Sequence, residues 1–189
     1  MRKVIVSNYV TVDGFFAGPN GELDWFAWDD EMAKYSIYLM DMVDTILFGR
    51  VTYQLMVDYW PTTAAADENP IIAEGMNNLA KVVFSTTLRE VAWNNSRLVT
   101  ENIEEEISHL KQLPGKDMVI FGSGTLVSTL TQLGLIDEYR LIVTPVVLGQ
   151  GKPLFLAIKE RLNLHLIHAT PFGCGNVLLH YRPDRGATP

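Results

Sequence analysis

The sequence contains few features of disulfide-bonded, membrane or nucleic-acid-binding proteins. Cys174 is the only cysteine among 189 residues, so no disulfide can form within the chain, which fits a reducing, cytoplasmic compartment. No apolar run is long enough to span a bilayer, and the run near the N-terminus is too short for a signal peptide. The net charge is -7 and no cluster of Lys and Arg stands out, which disfavours nucleic acid or an anionic membrane as a partner.

Familiar cofactor and metal motifs are also missing. No Gly-x-Gly-x-x-Gly follows the first predicted strand, and the chain has no Walker A lysine motif. His165 and His168 lie three apart on a predicted strand, so their side chains face opposite sides of a sheet. We therefore predict neither the usual Rossmann site nor a metal site.

Hydrophobic residues make up 48% of the chain and charged residues 20%, as is typical of a folded globular protein. Short apolar runs alternate with segments of helical periodicity, and the last two runs have the spacing of an antiparallel hairpin. We predict one α/β domain over residues 1–189, with a mixed, mostly parallel sheet flanked by helices and an antiparallel C-terminal hairpin. The tail, 183–189, is expected to be frayed.

The predicted elements follow from periodicity and from turn and cap residues. Strands are predicted at 3–12, 45–48, 82–85, 97–100, 118–121, 141–148, 162–168 and 176–182. Helices are predicted at 30–43, 50–59, 70–79, 102–113 and 125–133, and loops at 15–30 and 61–69. Asn102 and Glu105 have the spacing of a capping pair for the fourth helix.

One stretch, 117–130, organises the rest of the chain. A buried strand ends at Phe121, two glycines flank Ser123, and leucines then recur at helical spacing. Gly134 suits the left-handed position of a Schellman motif, which would bring Leu135 back toward Leu130. A strand, glycine turn and helix in this order can bind a phosphate through the helix N-terminus, although a tight connection without a ligand has the same pattern.

Two further strand ends carry similar chemistry. Gly49 and Arg50 follow the second predicted strand and open a helix, and Ser85 and Thr86 follow the third. Neighbouring parallel strands would place these residues and Gly122 at one edge of the sheet, where open α/β sheets bind ligands. Two helix N-termini and a row of hydroxyls can hold a pyrophosphate, and a guanidinium can pair with a further phosphate. The three strand ends together predict a nucleotide site.

Carboxylates near the first strand are candidates for a proton donor. Asp13 and Asp24 lie among Phe15, Phe16 and Trp25. A carboxyl held against aromatic rings loses solvation, which raises its pKa and suits it to general-acid catalysis. Asp13 follows a strand and can instead bond its own turn, so we favour Asp24 narrowly over Asp13, with bound water as the third choice.

These residues resemble the dihydrofolate reductase-like superfamily. Within it, the sequence is most similar to stand-alone relatives of the reductase domain of the riboflavin-pathway deaminase–reductase. The resemblance runs from the first strand to residue 155, and its specificity comes from the order and spacing of the matches. The matching segments are residues 7–14, 49–53, 85–86, 122–126 and 135–155.

The resemblance implies the fold of that superfamily and an NADPH-dependent hydride transfer onto a pterin- or pyrimidine-like ring. It places the cofactor phosphates on Gly49, Arg50 and Thr52, and the adenosine ribose and its 2′-phosphate on Ser85 and Thr86. It also implies that the loop 13–25 is a lid over the nicotinamide. The pyrophosphate and nicotinamide would lie against Gly122, Ser123, Gly124, Thr125 and Leu126, and the substrate against Tyr9, Phe16, Trp25 and Tyr53.

Other functions stay open from the sequence alone. The same enzyme class could reduce a flavin or an aminouracil ribitol phosphate. A nucleotide-binding module without catalysis would keep the phosphate site but lack a usable acid. Relatives of the riboflavin reductase domain pair through the C-terminal end of the sheet, so we also expect a homodimer with two-fold symmetry.

Overall fold

The computed structural model describes residues 1–184 and contains an eight-stranded sheet with helices on both faces. The strands are β1 Val4–Thr11, β2 Phe15–Ala17, β3 Val43–Gly49, β4 Ala80–Phe84, β5 Ser96–Val99, β6 Asp117–Phe121, β7 Glu138–Thr144, β8 Lys152–Pro153, β9 Leu164–Pro171 and β10 Val177–Pro183. The helices are α1 Asp30–Met42, α2 Arg50–Tyr59, α3 Thr63–Glu68, α4 Pro70–Asn78, α5 Ile103–Gln112 and α6 Gly124–Gln132.

The main sheet has the order β5-β4-β3-β6-β1-β7-β10-β9, and a separate pair joins β2 to β8. The pairings from β5 through β7 are parallel, whereas β10 is antiparallel to both β7 and β9. The central strands are buried on both faces, which is why they read as continuous apolar runs. The predicted mixed sheet with an antiparallel hairpin at its edge is confirmed.

The two faces of the sheet form separate cores. On one face α5 and α6 pack Ile107, Val127 and Leu130 against the strands. On the other, α1 and α4 contribute Leu39 and Met76 to a second core. None of the helices in residues 1–184 has the length and apolar character needed to cross a membrane.

The predicted Schellman motif at the end of α6 is confirmed. Gly134 has a φ of 67°, the N–H of Leu135 donates to the carbonyl of Leu130 at 2.9 Å, and the N–H of Gly134 donates to Thr131 at 3.1 Å. Both hydrogen bonds of the motif are therefore present, and they fix the direction in which the chain enters β7.

Several boundaries differ from the predictions. The predicted loop 61–69 contains α3, which begins where the Thr62 hydroxyl accepts the N–H of Ala65 at 3.3 Å. β7 lies earlier than predicted, at Glu138–Thr144, because salt bridges to Glu138 allow a carboxylate inside the sheet. Asn102 is the N-cap residue of α5, as predicted, but its backbone is left-handed with a φ of 54° and its side chain makes no capping bond to any described residue.

The tail begins later than predicted. Pro183 still belongs to β10, and the N–H of Asp184 donates to the carbonyl of Asn163 at 2.8 Å. The remaining residues of the predicted frayed segment, 185–189, lie outside the described part of the chain.

Candidate active site

The carboxyl ends of β4, β3 and β6 lie side by side and open onto one cleft. Because these three strands are parallel neighbours, Ser85, Gly49 and Gly122 meet at the same edge of the sheet. The cleft has a volume of about 1210 Å³ and extends from the end of β5 to the loop after β2. It is larger than the roughly 300–1,000 Å³ of a typical small-molecule pocket, so it can hold a dinucleotide together with a second ligand.

Two helices point their N-termini into this cleft. α2 begins after Gly49 and α6 begins after Ser123, and within residues 1–184 no side chain caps the start of either helix. Their first N–H groups and the positive ends of their dipoles are therefore open to an anion. This arrangement fits the pyrophosphate of a dinucleotide.

Ser123 ties the two helix starts together. Its hydroxyl accepts the N–H of Gly49 at 2.9 Å, and its own N–H donates to the hydroxyl of Thr52 at 2.9 Å. Ser123 and Gly122 both adopt left-handed backbone angles, with φ values of 56° and 61°. A Cβ on Gly122 would lie 3.0 Å from Thr52, so close packing also favours glycine there.

Asn8 is a site residue that the sequence prediction missed. This buried amide in β1 accepts the N–H of Gly122 at 3.0 Å and donates to the carbonyl of Gly122 at 3.2 Å. The pair of hydrogen bonds fixes the peptide groups of the turn between β6 and α6. The only signal in the sequence is an amide within an otherwise apolar strand.

The far end of the cleft carries the hydroxyls predicted to bind the adenosine ribose. Ser85 lines the cleft, but its hydroxyl accepts the backbone N–H of Leu88 at 3.0 Å, so it also holds its own turn. Thr86 is exposed in the cleft, and Glu101 lines the same end. Arg50 is exposed at the cleft and donates to Gln54 at 3.1 Å.

The first turn of α6 lies against an aromatic ring. Gly124, Thr125 and Leu126 all line the cleft. A Cβ on Gly124 would stand 2.8 Å from the ring of Phe16, so only glycine allows this close approach. Phe16, predicted to contact the substrate, therefore lies beside the turn predicted to hold the cofactor.

The opposite half of the cleft is aromatic. The ring of Tyr9 stacks on Phe26 with centroids 4.5 Å apart, and Trp28 and Tyr35 line the same region. Burial, with smaller effects from Tyr35, Cys174 and Asp29, raises the pKa of Tyr9. This half of the cleft suits a flat ring, and Phe26, Trp28 and Tyr35 were not predicted from the sequence.

Two of the four predicted substrate contacts lie elsewhere. Tyr53 is buried in the core, where its hydroxyl accepts the N–H groups of Ala92 and Trp93, both at 3.0 Å. Its position on α2 turns the ring away from the cleft. Trp25 packs edge-on against Phe26 and donates to the carbonyl of Glu22 at 3.2 Å, outside the cleft lining.

Asp13 holds two loops together. Its carboxylate accepts the Thr11 hydroxyl at 2.6 Å and the N–H groups of Leu148 at 3.3 Å and Gly149 at 2.7 Å. The hydrogen bond from Thr11, helped by the two backbone N–H groups, lowers the pKa of Asp13. A carboxylate kept ionised in this way is an acceptor and is unsuited to donate a proton, and Asp13 lies outside the cleft lining.

Asp24 is exposed, makes no hydrogen bond to any described residue, and does not line the cleft. Neither predicted proton donor therefore lines the cleft. The segment that carries them is fixed by contacts with other parts of the chain. β2 pairs with β8, and Asn176 donates to the carbonyl of Ala27 at 2.9 Å.

In the part of the chain that the structure describes, no group of three or more His, Cys, Asp or Glu side chains could hold a metal ion.

The cleft also has an apolar side arm that the sequence did not predict. It lies where α1, α2 and α4 meet, and we call it the methionine arm. Its apolar lining residues are Leu39, Met40, Leu55, Met56, Trp60, Ile72 and Met76, and Asn69 at the start of α4 also lines the cleft. Their spacing on the three helices is that of ordinary core residues, which is why the sequence gives no sign of a cavity.

A mostly parallel sheet that ends in an antiparallel hairpin, with a cleft at its carboxyl edge, defines a protein of dihydrofolate reductase-like fold. Comparison supports this: dihydrofolate reductase from Enterococcus faecalis, solved with NADP(H) and RAB-propyl, superposes with a TM-score of 0.64 at 13% identity, covering 96% of each chain. The chain belongs to the RibD C-terminal domain family, whose sequence profile matches residues 2–178.

Two further relatives are similar over nearly their whole length. The uncharacterized protein YyaP of Bacillus subtilis is 39% identical over 180 residues, which cover 95% of this chain and 94% of that protein. A Shewanella sp. PV-4 protein assigned to riboflavin biosynthesis superposes with a TM-score of 0.76 at 23% identity, covering 97% of this chain and 99% of the other. The expected superfamily and fold are confirmed.

Proposed function

We propose that this protein is an NADPH-dependent reductase that transfers a hydride to a flat heterocycle. The observation that carries the proposal is the form of the cleft, which joins two uncapped helix N-termini to an aromatic half lined by Tyr9 and Phe26. The first part suits a pyrophosphate and the second suits a planar ring. Membership of the RibD C-terminal domain family, and the fold shared with a dihydrofolate reductase solved with NADP(H), support the cofactor.

The residues at the strand ends would hold the cofactor. The first turns of α2 and α6 offer N–H groups to the pyrophosphate, and Arg50 with Thr86 offers a charge and a hydroxyl to a 2′-phosphate. When bound, NADPH supplies a hydride, which is two electrons and one proton, to the acceptor. The protein fixes these turns through Asn8 and Ser123, so little reorganisation is needed when the cofactor binds.

A second proton must reach the reduced acceptor. Among the described residues, no carboxylate lines the aromatic half of the cleft. We therefore propose that bound water supplies this proton. The hydroxyls of Ser7 and Ser36 line that half and can orient a water molecule there.

The cofactor assignment is tested by calorimetry with NADPH and NADH. NADPH is expected to bind more tightly, and Arg50→Ala is expected to lose much of that preference, since a hydrogen bond to a charged group is worth about 1.5–3 kcal/mol. Arg161→Ala is a matched control, because Arg161 is exposed and does not line the cleft. Equal affinity of the parent protein for both nucleotides would contradict the assignment.

Catalysis is tested separately, by following NADPH oxidation with a panel of flavins, pterins and pyrimidines. Turnover of at least one member is expected. Tight binding of NADPH without oxidation by any member would favour a nucleotide-binding module that has lost catalysis.

A further inference from the structure

The methionine arm is lined by side chains from three helices. Met40 comes from α1, Met56 from α2 and Met76 from α4. The indole N–H of Trp60 contacts the sulfur of Met56 at 3.1 Å, and the side chain of Asn77 donates to the carbonyl of Trp60 at 2.9 Å. The end of α2 is thereby attached to α4, which fixes the relative position of two of the helices that line the arm.

The arm is continuous with the aromatic half of the cleft. Leu39 and Met40 lie on the same helix as Tyr35 and Ser36, and all four line the one cavity. A ring held near Tyr9 can therefore extend a substituent into the arm. Methionine side chains are flexible and polarizable, which suits them to contact apolar groups of varied shape.

Within residues 1–184, no charged residue is among the lining residues of the arm. Among the described residues that line the cleft, only Arg50, Glu101 and Lys152 carry a charge. Arg50 begins α2 and donates to Gln54, Glu101 follows β5, and Lys152 lies in β8 beside Gly21. A phosphate or carboxylate entering the arm would lose its water without gaining a cation, which is unfavourable.

Resting on the proposed function, we propose that the substrate is an uncharged molecule whose flat ring carries an apolar substituent in the methionine arm. This proposal narrows the substrate class. It disfavours an aminouracil that bears a ribitol phosphate and a pterin that bears a charged tail, because neither finds a counter-ion in the arm.

The experiment compares matched ligand pairs that share a ring and differ in the charge of the substituent. Suitable pairs are riboflavin with flavin mononucleotide, and folate dimethyl ester with folate. Their binding to the NADPH-loaded protein is measured by calorimetry. In the tighter-binding pair, the uncharged member is expected to bind at least about tenfold more tightly than the charged member. Equal or tighter binding of the charged member would overturn the proposal.

Methyl-labelled methionine NMR of the parent protein gives a second readout, in which variants are needed only to assign the signals. The uncharged ligand is expected to shift the methyl signals of Met40, Met56 and Met76, assigned one at a time by Met→Leu substitution. Shifts confined to other methionines would overturn the placement. If NADPH binds but no uncharged ligand does, the substrate proposal fails while the cofactor assignment stands; failure of NADPH to bind is a failure of the proposed function.

A charge placed in the arm should reverse the preference. Met56→Lys is expected to lower the affinity for the uncharged member and raise that for the anionic member by about tenfold, whereas Met56→Leu conserves volume and should keep the parent preference. Met40→Lys is a second variant from a different helix, and the NADPH affinity of each variant reports that it is folded. An unchanged preference in both folded lysine variants would place the substituent elsewhere.

Discussion

Asp13 and Asp24 show how surroundings decide the chemistry of a carboxylate. Asp13 accepts hydrogen bonds from Thr11, Leu148 and Gly149, and the resulting low pKa keeps it ionised at neutral pH. Asp24 is exposed and has no partner among the described residues. Neither residue lines the cleft, which favours another source for the proton of the reduced substrate.

We expect Asp24→Asn to leave turnover within about twofold of the parent, because a substitution at an exposed, unpartnered position has little effect. The measurement is the steady-state rate with a substrate identified from the panel. A loss of about 10²–10⁴-fold would show instead that Asp24 is the general acid. Glu74→Gln serves as the control, because Glu74 is exposed on α4 and does not line the cleft.

The predicted site residues that line the cleft include glycines, which the sequence indicates through the backbone turn that they allow. Gly49 and Gly122 follow buried strands, and a glycine between strand and helix is visible from local sequence alone. Tyr53 and Trp25 were assigned by resemblance and proximity, but the direction of a side chain depends on how its helix or loop packs. Asn8 was missed because its partner, Gly122, is 114 positions away.

At the level of helices and strands, the order of elements was predictable and the exceptions have physical causes. α3 is short, and its residues carry small and acidic side chains that read as a loop. β8 has two residues and exists through its pairing with β2, which periodicity cannot show. β7 begins with Glu138 and Arg140 on one buried face, so its first half lacks the apolar pattern of a central strand.

Glu138 and its partners form an ionic cluster on β7 and the strands beside it. The carboxylate is buried and contacts Lys3 at 2.8 Å, Arg140 at 3.1 Å, His180 at 3.0 Å and Arg182 at 3.3 Å. Burial acts to raise the pKa of Glu138, but the hydrogen bonds and charges of Lys3 and Arg140 outweigh it and bring the pKa down to about 2. Because the unfolded chain has an ordinary pKa of about 4.3, the folded state gains stability from this group.

The gain amounts to about 3 kcal/mol above about pH 4.3, where it is fully present, and it is lost as the pH falls toward about 2. We expect Glu138→Gln to lower the free energy of unfolding at pH 7 by about 3–5 kcal/mol, because Arg140 would stay buried without its counter-ion. Urea denaturation across pH 2–7 measures both effects. The variant should lack this part of the acid dependence, and an unchanged slope would contradict the assignment.

Lys3→Gln provides a graded comparison for this cluster. Lys3 contacts the same carboxylate, but 44% of its side chain is exposed, so solvent screens the pair. Its loss should cost about 1 kcal/mol or less. A cost equal to that of Glu138→Gln would mean that the surface charge, and not the buried pair, carries the effect.

For the molecule as a whole, the two edges of the sheet differ. β5 ends the sheet on one side, and β9 ends it on the other with most of its residues exposed. Leu166 and Ile167 are neighbours in β9, where its pairing with β10 shifts register, and they are 47% and 42% exposed. An exposed apolar edge strand promotes association with another chain unless a partner covers it.

We propose that β9 and the faces beside it form the interface of a homodimer with two-fold symmetry. Light scattering across a wide range of concentrations should give twice the mass of one chain. Ile167→Lys and Leu166→Lys each place a charge on this exposed part of β9, and at least one should shift the population toward monomers. Ile71→Lys is the matched control, because Ile71 is 59% exposed on α4, away from this edge. A single species of monomer mass at every concentration of the parent protein would refute the interface. Equal dissociation caused by Ile71→Lys would show that the interface includes the face of the molecule that carries α4.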